Sequence, residues 1–225
     1  MIPLRDNIGT RRLASINNLL IAANVAVFIY EMRLGNGVVQ LVKEYGMVPA
    51  RIAHLVRGLG VDALWAPVTL LTSLFIHGDA FHIAGNMLFL YIFGAAVEDR
   101  FGHSRFAWFY LAAGVAAGLA MVWMQPASRM PVIGASGAIA GVLGSYFVLY
   151  PRARIVTLIP LLVFFQVIEV PAVLSLLLWF ALQLYAGVQG GGGVAWWAHV
   201  GGFLFGVALA PMLARGSSRR ARALW

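Results

Sequence analysis

An apolar run from Ser136 to Tyr150 constrains the fold of this chain more than any other feature. Glycines flank the serine in the segment Gly134-Ala135-Ser136-Gly137, and Pro151 closes the run. As a helix, these 15 residues would span roughly 22 Å of a hydrocarbon core about 30 Å thick. A helix this short has to begin below the membrane surface, which would put Ser136 roughly 8 Å inside the bilayer. A polar residue at that depth costs free energy and is a default candidate for function.

The composition is that of a polytopic membrane protein with one domain. Hydrophobic residues make up 61% of the chain and charged residues 11%, whereas soluble domains are about 25% charged. No cysteine is present, which excludes disulfides, thiol catalysis and cysteine-ligated metals. Basic residues precede the first apolar run and no small-residue cleavage site follows it, so we expect no cleavable signal peptide.

Hydropathy and charge together predict an all-α bundle of six transmembrane helices. The predicted spans are residues 14–32, 78–97, 106–124, 136–150, 170–187 and 195–214. Residues 1–13 would form a cytoplasmic N-terminal segment, 14–214 the membrane domain, and 215–225 a basic cytoplasmic tail. With this topology eleven of the 16 basic residues lie on the inner side, as the positive-inside rule requires. The distribution of the basic residues, which give the net charge of +8, therefore mostly sets orientation, and we expect no nucleic-acid partner.

Two connections between the predicted spans carry structure of their own. Residues 33–66 form a long outer loop whose apolar residues recur at helical spacing, which predicts short amphipathic helices at the membrane interface, broken at Pro49. Residues 155–170 are apolar but contain Pro160, Gln166 and Glu169. We interpret them as a re-entrant or interfacial connection on the inner side, because a seventh span would put the basic tail outside.

Four polar side chains inside the spans require an explanation: those of His82, Asn86, Ser136 and His199. They lie on the second, fourth and sixth spans, which all run from outside to inside. Counting the rise per residue places His82, Ser136 and His199 at a similar depth, with Asn86 one turn deeper on the same helix face as His82. Independent helices would thus deliver a hydroxyl, two imidazoles and a carboxamide to one level.

Small residues indicate that the serine helix and the histidine helix pack together. Ser136, Ala140 and Gly144 share one face, and Gly202, Gly206 and Ala210 lie near the stripe of His199. Such faces allow helix backbones to approach closely in lipid. A serine within hydrogen-bond reach of an imidazole is an activated nucleophile. All eight acidic residues fall in loops or at span ends, so we expect a Ser-His dyad without a carboxylate, the histidine being oriented by packing or by a neutral hydrogen bond.

Donors for a developing oxyanion are available at the same level. The backbone N–H of Ser136 would lie unpaired at a helix N-terminus, where the dipole is positive. Asn86 can donate from its amide and His82 from a ring nitrogen.

These motifs resemble those of the rhomboid family of intramembrane serine proteases, bacterial members in particular. The resemblance is carried by His82-xxx-Asn86, Gly134-Ala135-Ser136-Gly137 and Ala198-His199-Val200-Gly201-Gly202, in this order and at this spacing. The segments Pro3-Leu4-Arg5-Asp6-Asn7 and Gly46-Met47-Val48-Pro49-Ala50-Arg51 also resemble bacterial members.

The resemblance implies a nucleophile at Ser136, a general base at His199, and an oxyanion hole formed by Asn86, His82 and the backbone N–H of Ser136. It implies cleavage of transmembrane protein substrates near the outer membrane face without metal or cofactor. It also implies a multi-pass protein surrounded by lipid, in a bacterial inner membrane. Two positions depart from the family pattern. Ala66 follows Trp65 where many members have arginine, and Ala140 replaces a tyrosine that stacks on the histidine in some members.

Other functions remain open from the residues alone. A transporter or channel could use His82, Asn86 and His199 as a proton or ion path, although these groups cluster at one depth and no internal repeat is seen. A metal hydrolase would need a third ligand and has no HExxH motif. A catalytically inactive scaffold of the same fold, or polar residues that serve only in helix packing, are further alternatives.

Overall fold

The computed structural model describes residues 2–10, 12–58, 65–161, 164–190 and 193–214 and shows a helical bundle with a small β-sheet. The helices are α1 (Ser15–Leu34), α2 (Val38–Tyr45), α3 (Pro49–Val56), α4 (Ala66–Thr72), α5 (Ala80–Phe89), α6 (Ala95–Phe101), α7 (His103–Met124), α8 (Ser136–Leu149), α9 (Ala172–Gln189) and α10 (Trp196–Leu213). The strands are β1 (Ile2–Asp6), β2 (Arg154–Leu161) and β3 (Phe164–Pro171). A π-helical turn, Leu90–Gly94, joins α5 and α6 into one continuous helix. The predicted tail, residues 215–225, lies outside the described residues.

Helix lengths confirm the mostly helical, membrane-spanning fold. In the described ranges, five helices are long and apolar enough to cross a membrane: α1 with the segment that follows it, the joined α5 and α6, α7, α9 and α10. The remaining predicted span, the fourth, corresponds to α8, which has 14 residues. It begins at Ser136 and ends one residue before the predicted boundary. A count of six crossings stays a prediction because α8 is shorter than a full span.

Helix α8 lies at the centre of the bundle and packs most extensively against α10. All of its residues from Gly137 to Tyr146 are buried. A Cβ atom added to Gly206 would collide with the carbonyl oxygen of Gly141, and one added to Gly202 would collide with that of Gly137. Only glycine permits this backbone approach. The predicted pairing of the serine helix with the histidine helix is confirmed, and we call this interface the glycine seam.

The long outer loop contains the amphipathic helices that its periodicity predicts. Helix α2 ends at Tyr45 and α3 begins at Pro49, which is the break that the proline predicted. Met47 pairs with Val132 through backbone hydrogen bonds of 3.0 and 2.7 Å. The loop is thereby fastened to the segment that leads into Ser136.

The three-stranded antiparallel sheet, in the order β1-β2-β3, was not predicted. Most of residues 155–170, interpreted from the sequence as a re-entrant or interfacial connection, form the hairpin of β2 and β3. Residues 1–13, predicted as a cytoplasmic N-terminal segment, contribute β1, which pairs with β2. The hairpin is rich in β-branched residues, which favour strands over helix. The Tyr146 hydroxyl donates to Asp6 Oδ2 over 2.8 Å and so fastens the sheet to α8.

Candidate active site

Ser136 and His199 are within hydrogen-bond distance of each other. The distance from Ser136 Oγ to His199 Nε2 is 2.8 Å. Ser136 is the first residue of α8 and His199 lies in the first turn of α10, so the glycine seam that joins these helices also fixes this distance. His199 is buried and Ser136 is partly exposed, as a reacting hydroxyl beside its base requires.

The other ring nitrogen of His199 contacts an amide that the sequence analysis missed. Gln183 Oε1 lies 2.7 Å from His199 Nδ1, and both side chains are buried. Gln183 belongs to α9, and its Nε2 donates to the carbonyl oxygen of Trp179 over 3.3 Å. The signal was present in the sequence, because a glutamine inside an apolar span is as costly as the other polar residues considered there.

Two tryptophans flank the imidazole. The ring centroid of Trp179 lies 6.0 Å from that of His199, with the planes tilted by 33°. Trp196 meets it edge-on at 6.1 Å. Ala140, at the position where some rhomboids have tyrosine, is fully buried. Packing and a neutral hydrogen bond thus surround His199, as the lack of a nearby acid predicted.

The carboxylates of Glu98 and Asp79 make contacts away from His199. Glu98 contacts His103 and accepts the backbone N–H groups of Ile16 and Asn17. Asp79 caps α5 by accepting the backbone N–H of His82 over 2.9 Å. Within those residues, no hydrogen bond joins a carboxylate to His199.

His82 and Asn86 lie against the turn that precedes Ser136. Gly134 adopts φ +112°, and a Cβ atom on it would lie 2.6 Å from His82 Nε2 and 3.6 Å from Asn86 Nδ2. Glycine is required here for both its dihedral angle and its lack of a side chain. The backbone N–H of Gly78 donates to His82 Nδ1 over 3.4 Å, which leaves the proton of a neutral ring on Nε2. Asn86 Nδ2 is buried and has no protein partner.

A cavity of about 890 Å³ connects these groups. Its lining includes the five polar side chains described above: His82, Asn86, Ser136, Gln183 and His199. The four residues predicted from matched depth therefore face one space, together with the glutamine that was not predicted. Ser136 lies in the first turn of α8. Its backbone N–H therefore has no acceptor within the helix.

The remaining histidines differ in their relation to this site. His77 packs edge-on against His82 with ring centroids 5.1 Å apart. Burial, with His82 nearby, lowers the pKa of His77 to about 4, so this ring is neutral at pH 7. His54 is exposed on α3, and His103 pairs with Glu98 away from the cavity.

Comparison with known proteins agrees with the arrangement of motifs. A family model described as the Rhomboid domain matches residues 64–216, which is more than half of the chain. The chain belongs to the rhomboid family. Together with its apolar helices, this makes it a multi-pass integral membrane protein.

Similar rhomboid proteins occur in bacteria and in mitochondria. Rhomboid protein 1, mitochondrial, of Saccharomyces cerevisiae is 32% identical over 140 residues, covering 60% of this chain and 37% of that protein. Rhomboid protease GluP of Bacillus subtilis is 43% identical over 76 residues, or 34% of this chain and 14% of that protein. Presenilin-associated rhomboid-like protein, mitochondrial, of Homo sapiens is 29% identical over 197 residues, or 84% and 45%. Each match thus spans less than half of the relative's length.

Proposed function

We propose that this rhomboid protein is an intramembrane serine endopeptidase with Ser136 as nucleophile and His199 as general base. The observation that carries the proposal is the 2.8 Å contact between Ser136 Oγ and His199 Nε2 at the wall of a large cavity. A hydroxyl paired with an imidazole nitrogen is the arrangement required for nucleophilic attack on a carbonyl. The protease name of the Bacillus relative supports the same activity.

Each bond change in the proposed reaction has a group to perform it. Ser136 Oγ attacks the scissile carbonyl carbon while its proton passes to His199 Nε2. The C–N bond of the tetrahedral intermediate then breaks, and the imidazolium returns the proton to the leaving amine. A water molecule from the cavity attacks the acyl ester, again with His199 as base, and releases the second product with Ser136 regenerated.

The oxyanion is proposed to accept hydrogen bonds from three donors. These are Asn86 Nδ2, which is buried and without a protein partner, His82 Nε2 in the tautomer favoured by Gly78, and the backbone N–H of Ser136. A donor of this kind contributes roughly 3–4 kcal/mol to transition-state stabilisation in comparable sites.

The proposed substrates are transmembrane segments of other membrane proteins, cleaved near the outer membrane face. The cavity lies at the end of the bundle where α5, α8 and α10 begin, and the excess of basic residues at the other end supports an outer position for it. A bacterial inner membrane and cytoplasmic termini belong to the same proposal. Fusion of the C-terminus to a fluorescent protein that folds only in the cytoplasm tests the orientation. Fusions that are expressed at normal levels but do not fluoresce would contradict a cytoplasmic C-terminus.

Substitution of the dyad tests the proposed activity. Ser136→Ala and His199→Ala should each abolish cleavage of a transmembrane substrate by the purified protein, and the double variant should be no worse than either one. Ser175→Ala makes the same chemical change on α9 and should cleave normally. Turnover near the wild-type rate in a folded Ser136→Ala variant would contradict the proposal.

The oxyanion donors are tested by separating kcat from KM. Asn86→Ala should lower kcat and kcat/KM by similar factors, on the order of 10- to 1000-fold, because the Ser136 N–H remains as a donor. His82→Ala should act in the same direction. If Asn86 and His82 served only to hold helices together, their loss would instead lower the free energy of unfolding by about 1 kcal/mol. The variants would then have a lower melting temperature and normal kinetics. A destabilised but kinetically normal Asn86→Ala would remove Asn86 from the active site.

A further inference from the structure

Gln183 holds the side of the imidazole that faces away from the serine. Its Oε1 atom is 2.7 Å from His199 Nδ1, on the opposite side of the ring from the 2.8 Å contact to Ser136. Gln183 is 8% exposed and His199 9%, so water competes weakly for either group. A buried amide contributes stability only if its hydrogen-bonding groups are satisfied, and here one of its partners is the candidate base itself.

The orientation of the amide follows from its second contact. Gln183 Nε2 lies 3.3 Å from the carbonyl oxygen of Trp179, one turn earlier on α9. A carbonyl oxygen can only accept, so this contact selects the NH₂ group and turns the amide oxygen toward His199. An amide oxygen can likewise only accept, so His199 Nδ1 has to carry a proton. The lone pair of the neutral ring is then on Nε2, facing Ser136.

We propose that Gln183 is a positioning residue that keeps His199 in the Nδ1–H tautomer, and this inference rests on the function proposed above. An imidazole with its proton on Nε2 cannot accept the serine proton, so the tautomer decides whether the dyad is competent. The amide also continues to accept from Nδ1–H while the ring is an imidazolium. In serine proteases a buried carboxylate has this task, and its amide replacement, which favours the wrong tautomer, costs about 10⁴ in kcat.

Two substitutions at Gln183 distinguish the effect of its hydrogen-bond acceptor from the effect of its side-chain shape. Gln183→Met has a similar length without an acceptor and should lower kcat by about 10- to 100-fold, with KM within about twofold. Gln183→Glu keeps an acceptor oxygen at the same reach and should recover most of the lost rate. Gln189→Met makes the matched change at an exposed position of the same helix and should leave both constants unchanged.

Nitrogen NMR of the detergent-solubilised protein, labelled with ¹⁵N-histidine, reads the tautomer without reference to activity. The His199 signals, assigned by their loss in His199→Gln, should show Nδ1 protonated in the wild type at neutral pH. Gln183→Met should convert them to those of a mixture. A wild-type ring protonated on Nε2 would overturn the inference even if Gln183→Met failed to fold.

Failure of this inference is distinguishable from failure of the proposed function. If Ser136→Ala abolishes cleavage while Gln183→Met keeps the wild-type kcat, the positioning role alone is overturned. If Ser136→Ala itself still cleaves, the proposed function is overturned.

Discussion

The two sides of His199 are built differently. On the side of Ser136, α8 and α10 meet along the glycine seam, where backbone lies against backbone and Ser145 Oγ donates to the carbonyl oxygen of Gly206 over 3.2 Å. On the other side, α9 meets the imidazole through the side chains of Gln183 and Trp179. Helix α8 is buried along most of its length, whereas α9 buries only Ala172, Leu176, Gln183 and Gly187 among its 18 residues.

The two sides therefore contribute differently to the geometry of the site. Backbone contacts without intervening side chains have little freedom to adjust, so the glycine seam sets the distance between nucleophile and base. Side-chain contacts from a helix with few buried residues can be lost without unfolding the bundle. We therefore expect changes in the seam to act on folding, and changes on the α9 side to act on the rate of reaction.

The largest expected effect is that of Gly206→Ala in the seam. The added Cβ would collide with the carbonyl oxygen of Gly141, and a backbone atom cannot move aside as a side-chain tip can. We expect a loss of about 3 kcal/mol of stability, with loss of cleavage, measured by thermal melting and substrate turnover. Gly85→Ala is the matched control, because its Cβ meets nothing within 4 Å. A wild-type melting temperature for Gly206→Ala would contradict the expectation that changes in the glycine seam act on folding.

A smaller effect, on rate, is expected from Trp179→Leu on the α9 side. Its indole packs against the rings of His199 and Phe203, with centroids 6.0 and 6.1 Å apart. Without the indole the imidazole of His199 is free to rotate, which should lower kcat by about 10-fold. Trp108→Leu controls for the change in size, since Trp108 is 75% exposed on α7. A normal kcat in Trp179→Leu would show that the indole does not restrain the ring.

The sequence indicated the seam side of this comparison better than the α9 side. The length of the run from Ser136 and its flanking proline predicted α8 almost to the residue, because both signals are local. Depth counting brought Ser136, His199, His82 and Asn86 together, because straight helices of the same direction keep their register. The small-residue pattern found the correct helix pair. It did not show that Gly141, beside the expected Ala140, faces the backbone of α10.

The parts that were missed depend on information that a local pattern does not contain. Residues 155–170 are mostly apolar without regular alternation, so periodicity could not separate a strand from a re-entrant or interfacial connection. Only pairing with β1 from the distant N-terminus makes the hairpin part of a sheet. Gln183 was not predicted because only acidic residues were weighed as partners of His199, and the sequence pattern does not show which face of α9 meets α10.

The smallest expected effect belongs to the lipid-facing surface of α9. Leu178 is 53% exposed, so Leu178→Ala should change stability by less than about 0.5 kcal/mol and leave kcat unaltered. The same substitution at Leu143, which is 1% exposed in α8, should cost about 3 kcal/mol. Equal melting temperatures for the two variants would contradict the difference in packing described here.

The central claim is that Ser136 is a nucleophile activated by His199, and labelling with a fluorophosphonate probe tests it most directly. Such reagents form a covalent bond with an activated serine, and peptide mass spectrometry identifies the modified residue. We predict stoichiometric modification of Ser136 in the folded protein and loss of labelling in His199→Ala, while Ser175→Ala labels normally. Absence of label on Ser136 in wild-type protein that cleaves a transmembrane substrate, or undiminished labelling in His199→Ala, would contradict it.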